Sequence, residues 1–182
     1  PYSQEEIVTR DFILNEKPNG IINIVDATNI ERNLYLTLQL LELRIPMVLA
    51  LNMMDEVRNN GGTVDVSQLS KELGIPVIPI SAIKNEGISE LVNSIVNVVK
   101  SKTTPQKIDF CPSGPVHRCI HSVSHVIEDH AMNLDISPRF CATKIIEGDV
   151  SFEKRLELNR NELELIEHTV LEMEHESGLD KN

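Results

Sequence analysis

The sequence predicts an α/β fold, a doubly wound parallel sheet over residues 1–100 followed by a small all-helical module over residues 116–182. Two observations predict it. Three short apolar runs, "GIINIVDA" (20–27), "PMVLALN" (46–52) and "PVIPIS" (76–81), are rich in β-branched residues and nearly continuous, the pattern of parallel strands buried on both faces. Each run is bracketed by segments of helical periodicity, and this alternation stops near residue 100.

The first helix is expected in "SQEEIVTRDFILNE", opened by a Ser3-Gln4-Glu5-Glu6 capping-box pattern and stopped by the Lys17-Pro18-Asn19-Gly20 turn. The second lies in "NIERNLYLTLQLLELRI", with Ile30, Leu34, Leu38, Leu41 and Ile45 on one face. "VSQLSKELGI" makes the third, with Gly74 as its C-cap, and "GISELVNSIVNVVK" the fourth, with Ile88, Leu91, Ile95 and Val98 or Val99 in phase. "SKTTPQKIDFCPSGP" (101–115) then reads as a linker. Beyond it, Val116, Ile120, Val123 and Ile127 form one stripe. Ser137 and Pro138 open a helix that Gly148 stops, and "SFEKRLELNRNELELIEHTVLEMEHESG" is one long acidic helix or a pair.

Composition narrows the function classes. The 17 Lys and Arg against 28 Asp and Glu give a formal charge of −11, so binding nucleic acid through its phosphates is disfavoured. No apolar window reaches the roughly 18–20 residues of a membrane span, and "PYSQEE" has no signal-peptide character, so a soluble, cytosolic segment is expected. Cys111, Cys119 and Cys141 are odd in number and lack C-x-x-C spacing, which predicts reduced thiols.

The chemistry centres on "LALNMMDEV". Ligands of open parallel sheets collect beyond the carboxyl ends of the strands, where Asn52 and Asp55 fall. A carboxylate accepts two parallel hydrogen bonds, so Asp55 suits the ring N–H and exocyclic amine of guanine. The backbone N–H of Ala82, in the polar loop "SAIKNEG" after the next strand, could meet the guanine carbonyl. Adenine, with its donors and acceptors reversed, would leave these groups unpaired.

These residues carry a resemblance. "NMMD" resembles the N-K-x-D motif of Ras-like GTPases and "SAIK" their S-A-K loop. Together with "PYSQEEIVTRDFIL", "VDATNIERNLYLTLQLLEL", "PVIPISAIKNEGISEL" and "RFCATKIIEGD", the chain is similar throughout to the cytosolic part of the ferrous iron transport protein B (FeoB) family. The resemblance implies an incomplete Ras-like sheet with Asn52, Met53, Asp55, Ser81, Ala82 and Ile83 around the base. Met53 stands where a Ras protein has Lys, so its apolar stem could still cover the base while the cationic bridge to the phosphate loop is lost.

GTP or GDP and Mg²⁺ are the implied ligands of the intact protein and Fe²⁺ its transported substrate, at the cytoplasmic side of the cell membrane. G-x-x-x-x-G-K-[ST], the magnesium-binding Thr and D-x-x-G do not occur here, so the phosphate and Mg²⁺ sites are expected upstream of Pro1. The chain alone is expected to be catalytically inactive. Its expected partners are the upstream phosphate-loop segment and the downstream transmembrane domain of the same transporter. The first strand is expected to leave a bare edge open to self-association. The helical module is the implied coupling element between nucleotide state and pore. A nucleotide-free pseudo-GTPase interaction module and a fragment of another Ras-like GTPase stay open as alternatives.

His117, His121 and His125 recur every four residues. Their outer members stand about 12 Å apart along a helix, too far for one ion to reach both, so a solvated shoulder is expected. Met47, Met53 and Met54 are expected to pack as strand and loop residues, Cys119 and Cys141 to be buried, and Glu162 to Glu176 to face solvent.

Overall fold

The computed structural model describes residues 4–178, with side chains described from Val8 onward. The Ser3 capping-box expectation lies outside the described residues. The chain divides into two compact units, residues 1–108 and 109–182, the break falling within the Ser/Thr/Pro-rich stretch.

In the first unit, α1 (Gln4–Glu16) precedes β1 (Ile21–Asp26). A 3-10 turn (Ala27–Asn29) leads into α2 (Ile30–Glu42), and β2 (Met47–Asn52) follows. After β2 come α3 (Met54–Asn59), α4 (Val66–Leu73), β3 (Val77–Pro79) and α5 (Ile88–Lys100). The strands form a parallel sheet in the order β1-β2-β3, with Ile21 opposite Met47 and Leu49 opposite Val77.

Helices cover both faces of the sheet. Val48, Ala50, Ile78 and Ile80 point to one face and pack with Leu91 and Val98 of α5, flanked by Ile88 and Ile95 in the predicted phase. On the other face Asn23 of β1 donates through Nδ2 to Thr37 Oγ1 of α2 at 2.7 Å. Gly74 ends α4 in the left-handed region, at φ 69°.

Two expectations are corrected. β2 is buried on both faces, as are Val77 and Ile78 of β3, but β1 alternates, leaving Ile22 at 42% and Ile24 at 64% exposed. Both side chains share the face that α5 covers, but α5 packs over β2 and β3 and β1 is the outer strand among the described residues. On α2 the buried positions are Thr37, Leu40 and Leu41, so the apolar stripe is rotated from the predicted one; the helix ends at Glu42, before Ile45. The Asn23–Thr37 bond satisfies the polar side chain that holds a core position on this rotated stripe.

β3 is short, with Pro76 before it and Pro79 as its last residue. Ile80 N–H donates to Leu51 at 2.8 Å, which turns the neighbouring Pro79 nitrogen away from β2, where its missing N–H costs no ladder bond.

The second unit contains α6 (Pro115–Val126), α7 (Glu128–Asn133), α8 (Pro138–Ile146), α9 (Val150–Arg155) and α10 (Arg160–Ser177). Ser137 caps α8 with Pro138 at its first position, and Gly148 follows its end, as predicted. The acidic C-terminal stretch is a pair of helices, α10 opening with a capping box between Asn159 and Glu162. Ile120, Val123 and Ile127 are buried along α6 and its end, with Cys119 and Cys141. Phe140 and Phe152 meet edge to face at 5.7 Å. Lys144 is fully buried, its Nζ 5.4 Å from the Phe140 ring centre and 3.0 Å from Glu147.

Candidate guanine-recognition site

Asn52 ends β2, and the chain turns sharply after it: Met53 adopts the left-handed conformation at φ 65°, so α3 starts at once and carries Asp55 in its first turn. After β3, Ser81 and Glu86 form an antiparallel bridge that pins the 82–85 turn into a narrow loop. Gly87 then reverses the chain into α5 at φ 74°.

The predicted residues come together at the carboxyl ends of β2 and β3. Asn52 Oδ1 accepts the Ala82 N–H at 3.1 Å, which orients the amide and leaves its Nδ2 as the outward donor. The Ala82 N–H is therefore already engaged within the chain, and a ligand carbonyl would share it with Asn52. Asp55 is 6% exposed, its low accessibility coming from immediate neighbours rather than from depth. Its carboxylate is held below the ordinary range first by the Ser81 hydroxyl beside it, against the cost of burial, with Lys84 also contributing. The Ser81 hydroxyl is buried and faces Asp55 outside the geometry of a formed hydrogen bond. Ile83 is 88% exposed and Met53 38%, so both present apolar surface beside the carboxylate; Met53, expected to pack, is half open, whereas Met47 and Met54 are buried.

Lys84, Arg58 and Glu86 hold roles that no sequence motif assigns them. Lys84 Nζ lies 3.7 Å from Asp55 Oδ2, and Arg58 Nη2 donates to Glu86 Oε2 at 2.5 Å. One pair runs from the loop to α3 and the other from α3 to the loop. Arg58 stands one helical turn after Asp55, the only signal the sequence offered.

The histidine stripe is spread out. His117 Nδ1 lies 3.1 Å from Asp109, off the hydrogen-bond line, the His121 and His125 rings lie 4.6 Å apart at a 42° tilt, and His125 pairs with Glu128 at 3.5 Å. Among the described residues no group of three ligating side chains could hold a metal ion, and no helix is long and apolar enough to cross a membrane.

Two family profiles match: "Ferrous iron transport protein B" over residues 1–95 and "FeoB cytosolic helical domain" over residues 113–181. Among curated relatives, the chain is 34% identical to the Fe(2+) transport protein A/Fe(2+) transporter FeoB fusion protein of Porphyromonas gingivalis, over 82% of this chain and 18% of the relative. It is 31% identical to the Fe(2+) transporter FeoB of Staphylococcus aureus, over 86% of this chain and 23% of the relative. The chain thus spans about a fifth of these relatives. The crystal structure of NFeoB from S. thermophilus bound to GDP.AlF4- and K+ is 34% identical, with a TM-score of 0.85, covering all of this chain and 69% of that one. The mGMPPNP-bound NFeoB from S. thermophilus is 35% identical with a TM-score of 0.84, again over the whole of this chain and 67% of that one. One profile spans more than half of the chain, a second spans its helical unit, and one solved architecture accommodates both; the chain belongs to the ferrous iron transport protein B family.

Proposed function

We propose that this chain supplies the guanine-recognising edge of a GTP-binding domain, together with part of the helical element that couples it to the pore of a ferrous iron transporter. The observation that carries the reading is the convergence of Asn52, Asp55 and the Ser81–Lys84 loop at one sheet edge, with Asn52 bound to Ala82 at 3.1 Å. Asp55, kept ionised, accepts the guanine ring N–H and exocyclic amine. Asn52 Nδ2 and the shared Ala82 N–H donate to the acceptor side of the base, and Met53 and Ile83 flank its faces. The solved relatives with GDP.AlF4- and mGMPPNP support guanine nucleotides as the ligand class.

Phosphate and Mg²⁺ positions are assigned to the rest of the same transporter, because no residue of this sequence matches the motifs that hold them. Hydrolysis depends on positioning and charge at the phosphates, so base recognition alone does not drive it. Fe²⁺ is the transported substrate, and the membrane domain is the partner of the helical unit.

The test joins this chain to the phosphate-loop segment of a relative and measures nucleotide affinity. GDP should bind in preference to ADP. Asp55→Asn should lose that preference and gain xanthosine diphosphate, because an amide donates to the carbonyl that replaces the exocyclic amine. Unchanged GDP affinity in that variant would refute the assignment.

A further inference from the structure

The helical unit carries a recess unrelated to the nucleotide edge. It encloses about 280 Å³ between α8, α9 and α10. Ile145, Ile146, Ile166 and Val170 form its floor, and Leu163, 37% exposed, stands at its mouth. Leu163, Ile166, Glu167 and Val170 are spaced i, i+3, i+4, i+7, so a single stripe of α10 makes one wall.

The rim is acidic. Glu153 of α9 and Glu167 of α10 line the recess, and among the described residues neither has an ion-pair or hydrogen-bond partner. Their neighbours on α10 are paired: Glu162 with His130, Glu164 with Arg160, Glu172 with His168 and Glu176 with Arg118. Residues 109–182 hold 15 acidic side chains against 7 basic ones, so the surrounding field is negative. The volume suits the apolar side chains of one helical turn.

We propose that this recess docks a cationic amphipathic helix of a partner protein. Two apolar side chains spaced i, i+3 or i, i+4 enter between Ile146 and Leu163, and Lys or Arg residues beside them reach Glu153 and Glu167. Both halves of the recognition are built: an apolar floor for affinity and two unpaired carboxylates that select sign.

The experiment titrates the full chain with a synthetic Leu/Lys amphipathic helical peptide, by calorimetry or fluorescence anisotropy. Two control peptides are used: one of equal charge with its leucines scrambled off the face, and one with Lys replaced by Glu. The Leu/Lys peptide should bind saturably. Glu153→Lys with Glu167→Lys should weaken it by about tenfold or more and confer binding of the Leu/Glu peptide, a swap that generalised charge attraction does not produce. Both positions are at least partly solvent-accessible, so folding should persist, and circular dichroism checks it. The conservative pair Glu153→Gln with Glu167→Gln should weaken binding without reversing its sign. Equal binding of the scrambled peptide, undiminished binding to the double Lys variant, or no saturable binding would overturn the proposal. So would dimerisation of the free chain that Leu163→Asp abolishes, which would make a second copy the occupant.

Discussion

Replacing Gly87 by Ala should destabilise the first unit without touching a ligand-facing side chain. Gly87 joins the Ser81–Glu86 loop to α5 at φ 74°, a conformation that costs an L-residue about 1–2 kcal/mol. An added Cβ would also press into the Pro79 carbonyl oxygen, closer than real Cβ atoms approach, and would meet Ile80 Cγ2 at 3.0 Å and Ile80 Cα at 3.4 Å. These obstacles are mostly backbone, held by the Ile80–Leu51 hydrogen bond of 2.8 Å, so they cannot swing aside as a flexible side chain would. Overpacking of this kind costs about 1–3 kcal/mol, for a combined loss of about 2–5 kcal/mol. For a unit of this size the melting temperature should fall by about 10 °C or more. Gly61→Ala is the control: φ is 71° there, and nothing lies within 4 Å of the added Cβ, so only the conformational cost remains. Urea denaturation of both variants should show Gly87→Ala the worse by about 1–3 kcal/mol. Equal losses would refute the steric part of the reasoning, and no loss in either would refute the conformational part.

Asn23→Ala should cost about 1–3 kcal/mol by leaving the buried Thr37 hydroxyl without its donor; urea midpoints should show the double variant Asn23→Leu, Thr37→Val recovering much of that loss. Glu162 is held below the ordinary glutamate range, first by the backbone N–H of Asn159 and then by His130, so it stabilises the fold above about pH 4.5 and loses that contribution as pH falls through its lowered value. Thermal melts from pH 6 to 3 should therefore fall less steeply for Glu162→Gln than for the unsubstituted chain. Burial pushes the Cys119 thiol up to about 11 and Cys141 up to about 12, so a thiol reagent at pH 8 should modify Cys111 well before the other two; rapid labelling of all three in the native state would contradict this.

The alternation of apolar runs and helical periods determined the α/β class, the three parallel strands and the approximate extent of most helices, because those signals are local. Capping chemistry at Ser137, Pro138 and Gly74 was legible for the same reason: each acts on backbone within a few residues. The "NMMD" and "SAIK" words placed the candidate residues because strand ends dictate where they fall. Only the tertiary structure decided that Asn52 binds Ala82, that Lys84 and Arg58 cross-link the loop to α3, and that the buried face of α2 centres on Thr37. These are contacts between side chains and backbone groups 14 to 30 residues apart, whose partners follow from how elements pack rather than from any local period. The exposure of Ile22 and Ile24 has the same origin: their apolar character is written in β1, but whether a helix covers them depends on where α5 settles on the sheet.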